Sequence, residues 1–107
     1  SDVSAAVEQV ARAGKCGVVR EFVGHGIGRS MHEEPQVPNF GKPGRGPILE
    51  EGMVFCIEPM LTRGSPRIEV LSDEWTVVTR DGLPAAHFEH TIAIVPGGAE
   101  ILTPRED

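Results

Sequence analysis

The 107 residues are 39% hydrophobic and 24% charged, the balance of a globular chain with one core, and carry a net charge of −6. That charge, with no basic patch or basic helix, argues against nucleic acid and anionic membrane as partners. No apolar run approaches the roughly 18 residues of a membrane span.

Two lone cysteines, Cys16 and Cys56, form no CxxC pair. The opening SDVSAAVEQV lacks the basic and apolar regions of an export signal, so a cytosolic setting with reduced thiols is expected. A chain that opens on Ser1, inside what reads as a helix, suggests a fragment or a processed product.

In chain order, Val3, Val7 and Val10 share one helical face while Glu8, Gln9 and Arg12 occupy the other. This predicts an amphipathic helix over 2–13, capped by Ser1 and ended at Gly14. GVVREFV (17–23) reads as a short strand. Residues 24–47 hold six glycines and four prolines and read as a long loop, which in a compact domain is usually functional. MVFCIE (53–58) is apolar on both faces and cut off by Pro59, as in a strand buried on both sides. WTVVT (75–79) and AHFEHTIAIV (86–95) are two more strands, separated by a turn around Asp81-Gly82. Gly97-Gly98 turns the chain again before a last strand at 99–102. Short turns between antiparallel neighbours, with one N-terminal helix packed on the sheet, predict an α+β fold without repeat or linker.

The chemistry begins with Glu58, an acid at the end of a strand that should be buried, where a carboxylate is costly unless paired or bound to a metal. Glu89, between Phe88 and the apolar run 92–95, poses the same problem. Taken singly, each reads as half of a structural ion pair. Their candidate partners Arg63, Arg67 and Arg80, however, lie near turns, and two such acids in one small domain point to a shared cation. His25, in the glycine-rich GHGIGRS, can supply an imidazole, or stand as a loop histidine held by a local hydrogen bond. His32 in MHEEP is not the start of HExxH, because Gln36 stands where the second histidine would be. His87 and Glu89 miss the HxxEH order by one residue. A metal site must therefore be assembled from separate segments.

GHGIGRSMHEEPQVPNF, EEGMVFCIEPM and WTVVTRDG leading into HFEHT resemble the type I methionine aminopeptidases, in that order and at similar spacings, over about Val18 to Leu102. The resemblance implies the pita-bread fold, with residues 1–107 as the carboxyl-terminal half of the catalytic domain. It implies hydrolytic removal of the N-terminal methionine from peptides and nascent chains by a water held between two divalent ions.

By position it makes His25, Glu58 and Glu89 metal ligands, with Glu58 also the proton shuttle. His32 would hydrogen-bond the scissile carbonyl and Trp75 would line the methionine pocket. Met31, where the family usually has an aromatic residue, would leave that pocket looser. Cobalt, manganese, iron or zinc suits the ligand set. The family's two aspartate ligands have no counterpart among Asp2, Asp73, Asp81 and Asp107. Two divalent ions bring +4 against −2 from Glu58 and Glu89, so at most one weakly held ion is expected in this chain alone. Partners then follow: a missing amino-terminal half, or a second copy of this chain in its place. The alternatives are a non-catalytic pita-bread binding module, or another member of the creatinase/prolidase metallopeptidases.

Overall fold

A computed structural model describes residues 1–105. Helix α1 (Asp2–Ala13) is followed by ten strands. A three-stranded antiparallel sheet orders β1 (Gly17–Val18), β5 (Met60–Thr62) and β8 (Ala85–His87) side by side. A five-stranded sheet runs β10 (Gly98–Ile101), β9 (His90–Val95), β4 (Val54–Ile57), β2 (Gly24–Gly26), β3 (Glu33–Val37). A hairpin pairs β6 (Ile68–Val70) with β7 (Val77–Thr79). All pairings are antiparallel, and the α+β expectation holds.

The helix keeps its expected bounds, but its first end is made differently. Ser1 Oγ makes no cap bond. It donates to the Lys42 carbonyl (2.6 Å) and accepts from the Arg45 amide (2.8 Å). Asp2 Oδ1 accepts from the Gly44 amide (2.7 Å) and Glu8 Oε1 from the Gly41 amide (3.2 Å), so the helix side chains tie down the 41–45 loop. Gly14 is the C-cap as expected, at φ −84°, and the left-handed turn follows it at Lys15, φ 57°.

The expected strand over 17–23 is two residues long. After Val18 the chain crosses from the three-stranded to the five-stranded sheet, and only the Val19 amide, bonded to the Met60 carbonyl, continues the first ladder. The expected loop over 24–47 contains β2 and β3. Glycine serves here because the strands approach too closely for a side chain: a Cβ on Gly24 would run into the Cys56 carbonyl oxygen, and one on Gly26 into that of Glu34. The apolar run 86–95 is two strands in different sheets, with Phe88–Glu89 as the corner between them.

The core is small. Ala11, Val19, Val37, Phe55 and Cys56 are the buried hydrophobic residues among those described, joined by buried Ser4, Asn39 and Thr62. The β6–β7 hairpin is mostly exposed on both faces.

Candidate metal centre

Three adjacent strands carry the site. In the central sheet His25 on β2 pairs with Cys56 on β4, and Cys56 pairs with Thr91 on β9. Residues in register across antiparallel strands share a face, and so do residues two apart along one strand. Glu58 lies two past Cys56, and Glu89 two before Thr91. The pairing Ile57↔His90, continued by one step, sets Glu58 across from Glu89. One donor atom from each of His25, Cys56, Glu58 and Glu89 therefore lies within 4.8 Å of all the others. Two donors on opposite sides of one ion stand about 4–4.6 Å apart, given metal–ligand bonds of ~2.0–2.3 Å. The cluster has the size of a one-ion cage.

Its hydrogen bonding calls for a cation. His25 Nδ1 lies 2.8 Å from the Gly26 carbonyl oxygen, which can only accept, so Nδ1 holds the ring proton. Nε2 then carries a lone pair, and it stands 3.1 Å from Glu58 Oε2. That oxygen is buried and has no hydrogen-bond partner. Two acceptors face each other with nothing to bind them unless a second proton or a metal ion comes between. The donor set of one imidazole and two carboxylates is one that divalent metals take, so the residues fit a metal.

The electrostatics agree. Burial raises the Glu58 carboxyl above the ordinary carboxylate range and the nearby Glu89 charge raises it further, against the opposing pull of His25, His87 and His32. Burial likewise pushes the Cys56 thiol up, a Thr91 hydrogen bond opposes it, and Glu89 and Glu58 add to the rise.

Of the residues singled out from sequence, the fold gathers His25, Glu58 and Glu89, and stacks the His32 ring 4.1 Å from that of His25, tilted by 45°. Met31, 73% exposed, flanks His32 in the same loop. Trp75 stands apart, 87% exposed in the β6–β7 connection, where its amide donates to Asp73 Oδ1. Two neighbours went without a role in the sequence reading: Cys56, and His87, whose Nε2 lies 3.7 Å from Glu58 Oε1. The two-residue step from Cys56 to Glu58, and from His87 to Glu89, was the signal available for both. An apolar cleft of about 630 Å³ lies elsewhere, between Val3, Phe40, Ile48 and Phe55. Phe55 projects from β4 opposite to Cys56.

The model of metallopeptidase family M24 matches residues 1–96. The chain belongs to this family. It is 58% identical over 103 residues to the methionine aminopeptidase of Clostridium perfringens and 52% identical to methionine aminopeptidase 1 of Bacillus subtilis, matching 96% of this chain in both cases. Its fold superposes on the crystal structure of methionine aminopeptidase from Thermotoga maritima with a TM-score of 0.94 at 50% identity, over 97% of this chain. These M24 relatives are longer: the chain spans 41% and 42% of the two sequences and 42% of the structure. The α+β architecture is thus part of the pita-bread fold. M24 membership implies a divalent metal, and among the described residues no helix is long and apolar enough to cross a membrane.

Proposed function

We propose that this chain supplies the His25–Glu58–Glu89 portion of a dinuclear centre that removes the N-terminal methionine from peptides and nascent chains. The observation that carries this reading is the Nε2 lone pair of His25 facing the unpartnered Oε2 of Glu58 at 3.1 Å, a gap built for a cation. The methionine aminopeptidases it resembles at 58% and 52% identity support the substrate.

In this reading residues 1–107 are the carboxyl-terminal half of the catalytic domain. Two aspartates from a further segment, or a second copy of the chain, complete the site. The chain alone holds one divalent ion weakly, drawn from manganese, iron, cobalt and zinc, and works in the cytosol.

His25, Glu58 and Glu89 hold the metal, which when bound supplies the Lewis acidity that makes water a nucleophile near neutral pH and polarises the peptide carbonyl. Glu58 takes the proton that the attacking water gives up and returns it to the leaving amine, a carboxylate standing beside the centre it helps to hold. His32, stacked on His25, donates a hydrogen bond to the scissile carbonyl oxygen as negative charge develops there. Trp75 and Met31 offer their exposed apolar surface to the methionine side chain.

The test is methionine release from a Met-Ala peptide with excess Mn²⁺ or Co²⁺ over a range of protein concentrations, together with ion uptake measured by dialysis. Uptake of one ion per chain that is lost in His25→Ala supports the centre. Release that rises with protein concentration and vanishes in Glu58→Ala supports completion by a second copy. Uptake unaffected by His25→Ala would overturn the reading.

A further inference from the structure

We infer that Cys56 brings a sulfur donor into this centre, so that it binds thiophilic divalent cations such as Cd²⁺ and Zn²⁺ through a metal–sulfur bond as well as through nitrogen and oxygen. The inference rests on the metal-centre reading above and extends it to a residue with no part in the hydrolysis.

The geometry is that of a ligand. Cys56 occupies the middle position of the three-strand register, between His25 and Thr91, and Glu58 projects from the same face of the same strand. Its Sγ belongs to the cluster whose donor atoms all lie within 4.8 Å of one another. At 1% exposure the thiol is shielded from solvent oxidants and modifying reagents, so a role as a redox or modification site does not suit it. It is not locked into a strong hydrogen bond either. The Thr91 hydroxyl, 3.4 Å from Sγ, donates to the sulfur and so supports its ionised form, while the thiol proton faces the Glu89 carboxylate, a weak bond for a weak donor.

Sulfur next to imidazole and carboxylate makes a mixed donor set. Thiolate selects softer cations, whereas carboxylates alone leave manganese and magnesium competitive. As the metal–sulfur bond forms, the thiol S–H bond breaks, its proton passes to solvent, and the sulfur donates a lone pair with no change in oxidation state. Cys16, the other cysteine, lies in the α1–β1 connection with Sγ 3.6 Å from the Gly14 carbonyl, outside the cluster.

The experiment is a titration of the chain with Cd²⁺, followed by its ultraviolet sulfur-to-cadmium charge-transfer absorption. Bound Cd²⁺ and Mn²⁺ are counted separately by dialysis in the wild type, Cys56→Ser and Cys16→Ser. The expected result is a charge-transfer band in the wild type and in Cys16→Ser that is lost in Cys56→Ser. Cd²⁺ affinity in Cys56→Ser should fall roughly tenfold or more, the scale on which groups around a metal alter its binding, while Mn²⁺ affinity stays the same. Stoichiometric Cd²⁺ without the band, or a band that survives Cys56→Ser, would overturn the role of Cys56 and leave the His25–Glu58–Glu89 centre intact. Uptake of neither ion by the wild type would overturn the metal centre itself, and this inference with it.

Discussion

With Nε2 unprotonated, His25 and Glu58 meet acceptor to acceptor: Nε2 and Oε2 are 3.1 Å apart, while Nδ1 donates to the Gly26 carbonyl. Such a contact stabilises nothing until a positive charge enters it. Substituting Glu58→Gln puts an amide donor where the carboxylate oxygen stood and lets it bond the Nε2 lone pair. The metal-free variant should be more stable than the wild type by about 0.5–1.5 kcal/mol, the net worth of one hydrogen bond. It should also lose the rise in melting temperature that Mn²⁺ gives the wild type. Thermal melts with and without Mn²⁺ measure both effects. A metal-free Glu58→Gln variant less stable than the wild type would show that the contact is an ordinary ion pair.

The same contact sets a pH dependence. Glu58 titrates higher in the folded chain than in the unfolded one, chiefly through burial and then through the Glu89 charge. The folded state therefore binds the proton more tightly. The contribution of Glu58 to metal-free stability is complete below its unfolded value of 4.5 and is lost as pH rises through the higher folded value. Urea unfolding in chelator should show stability falling across that window, with the slope reduced in Glu58→Gln. A stability that rises through the same window, with a slope that Glu58→Gln abolishes, would mean the folded carboxyl titrates low.

The two histidines should separate. His25→Ala removes a metal donor and should abolish ion uptake. His32→Ala should leave uptake unchanged, since its ring stacks on His25 and it is not one of the four clustered donors. Where a completed site turns over, His32→Ala should cost about 10²–10³ in kcat, as expected for loss of a donor to a developing oxyanion. Dialysis and steady-state kinetics on the two variants would distinguish these roles.

Gly24 tests the strand packing that places His25. A methyl group there meets the Cys56 carbonyl oxygen, in the backbone of the neighbouring strand, which cannot rotate away. Gly24→Ala should cost about 1–3 kcal/mol, the range for overpacking, and should weaken metal uptake by displacing β2 from β4. Gly52→Ala meets no nearby atom but sits at φ 91°, so its cost should come from backbone strain and leave uptake intact. Urea denaturation and dialysis on the pair provide the comparison.

What could be read from the sequence follows the strength of local signals. The helix was legible in full because twelve residues display a clean apolar face. β4 was legible because an apolar run ends in an acid and a proline, the same features that mark Glu58. β2 and β3 were hidden, since GHG and EEPQV show no apolar alternation and hold one β-branched residue between them, Val37. Close approach of backbones, which appears only once the strands have met, dictates glycine at positions 24 and 26. The break at Phe88–Glu89 was hidden for a related reason. An unbroken run from 86 to 95 gives no local sign that its two ends belong to different sheets. Glu89 stood out as an acid beside an apolar run, but it is exposed rather than buried like Glu58, because it sits at a corner between sheets from which it still reaches the centre. Cys56 went without a role because a single cysteine in an apolar strand looks like core. Only the register with His25 and Thr91 places its sulfur among the donors.

That register also makes the centre a gauge of the fold. The donors come from three stretches of chain far apart in sequence, and only the ladder of backbone hydrogen bonds β2–β4–β9 fixes their alignment. A slip of one residue between β4 and a neighbour would carry Cys56 and Glu58 to the opposite face from their partners. A bound ion would then act as a clasp over three strands, closing loops of roughly thirty residues, and would discriminate against every misaligned pairing. The chain would find its correct alignment and its chemistry in the same event, and the metal would act as a folding partner before it acts in any reaction.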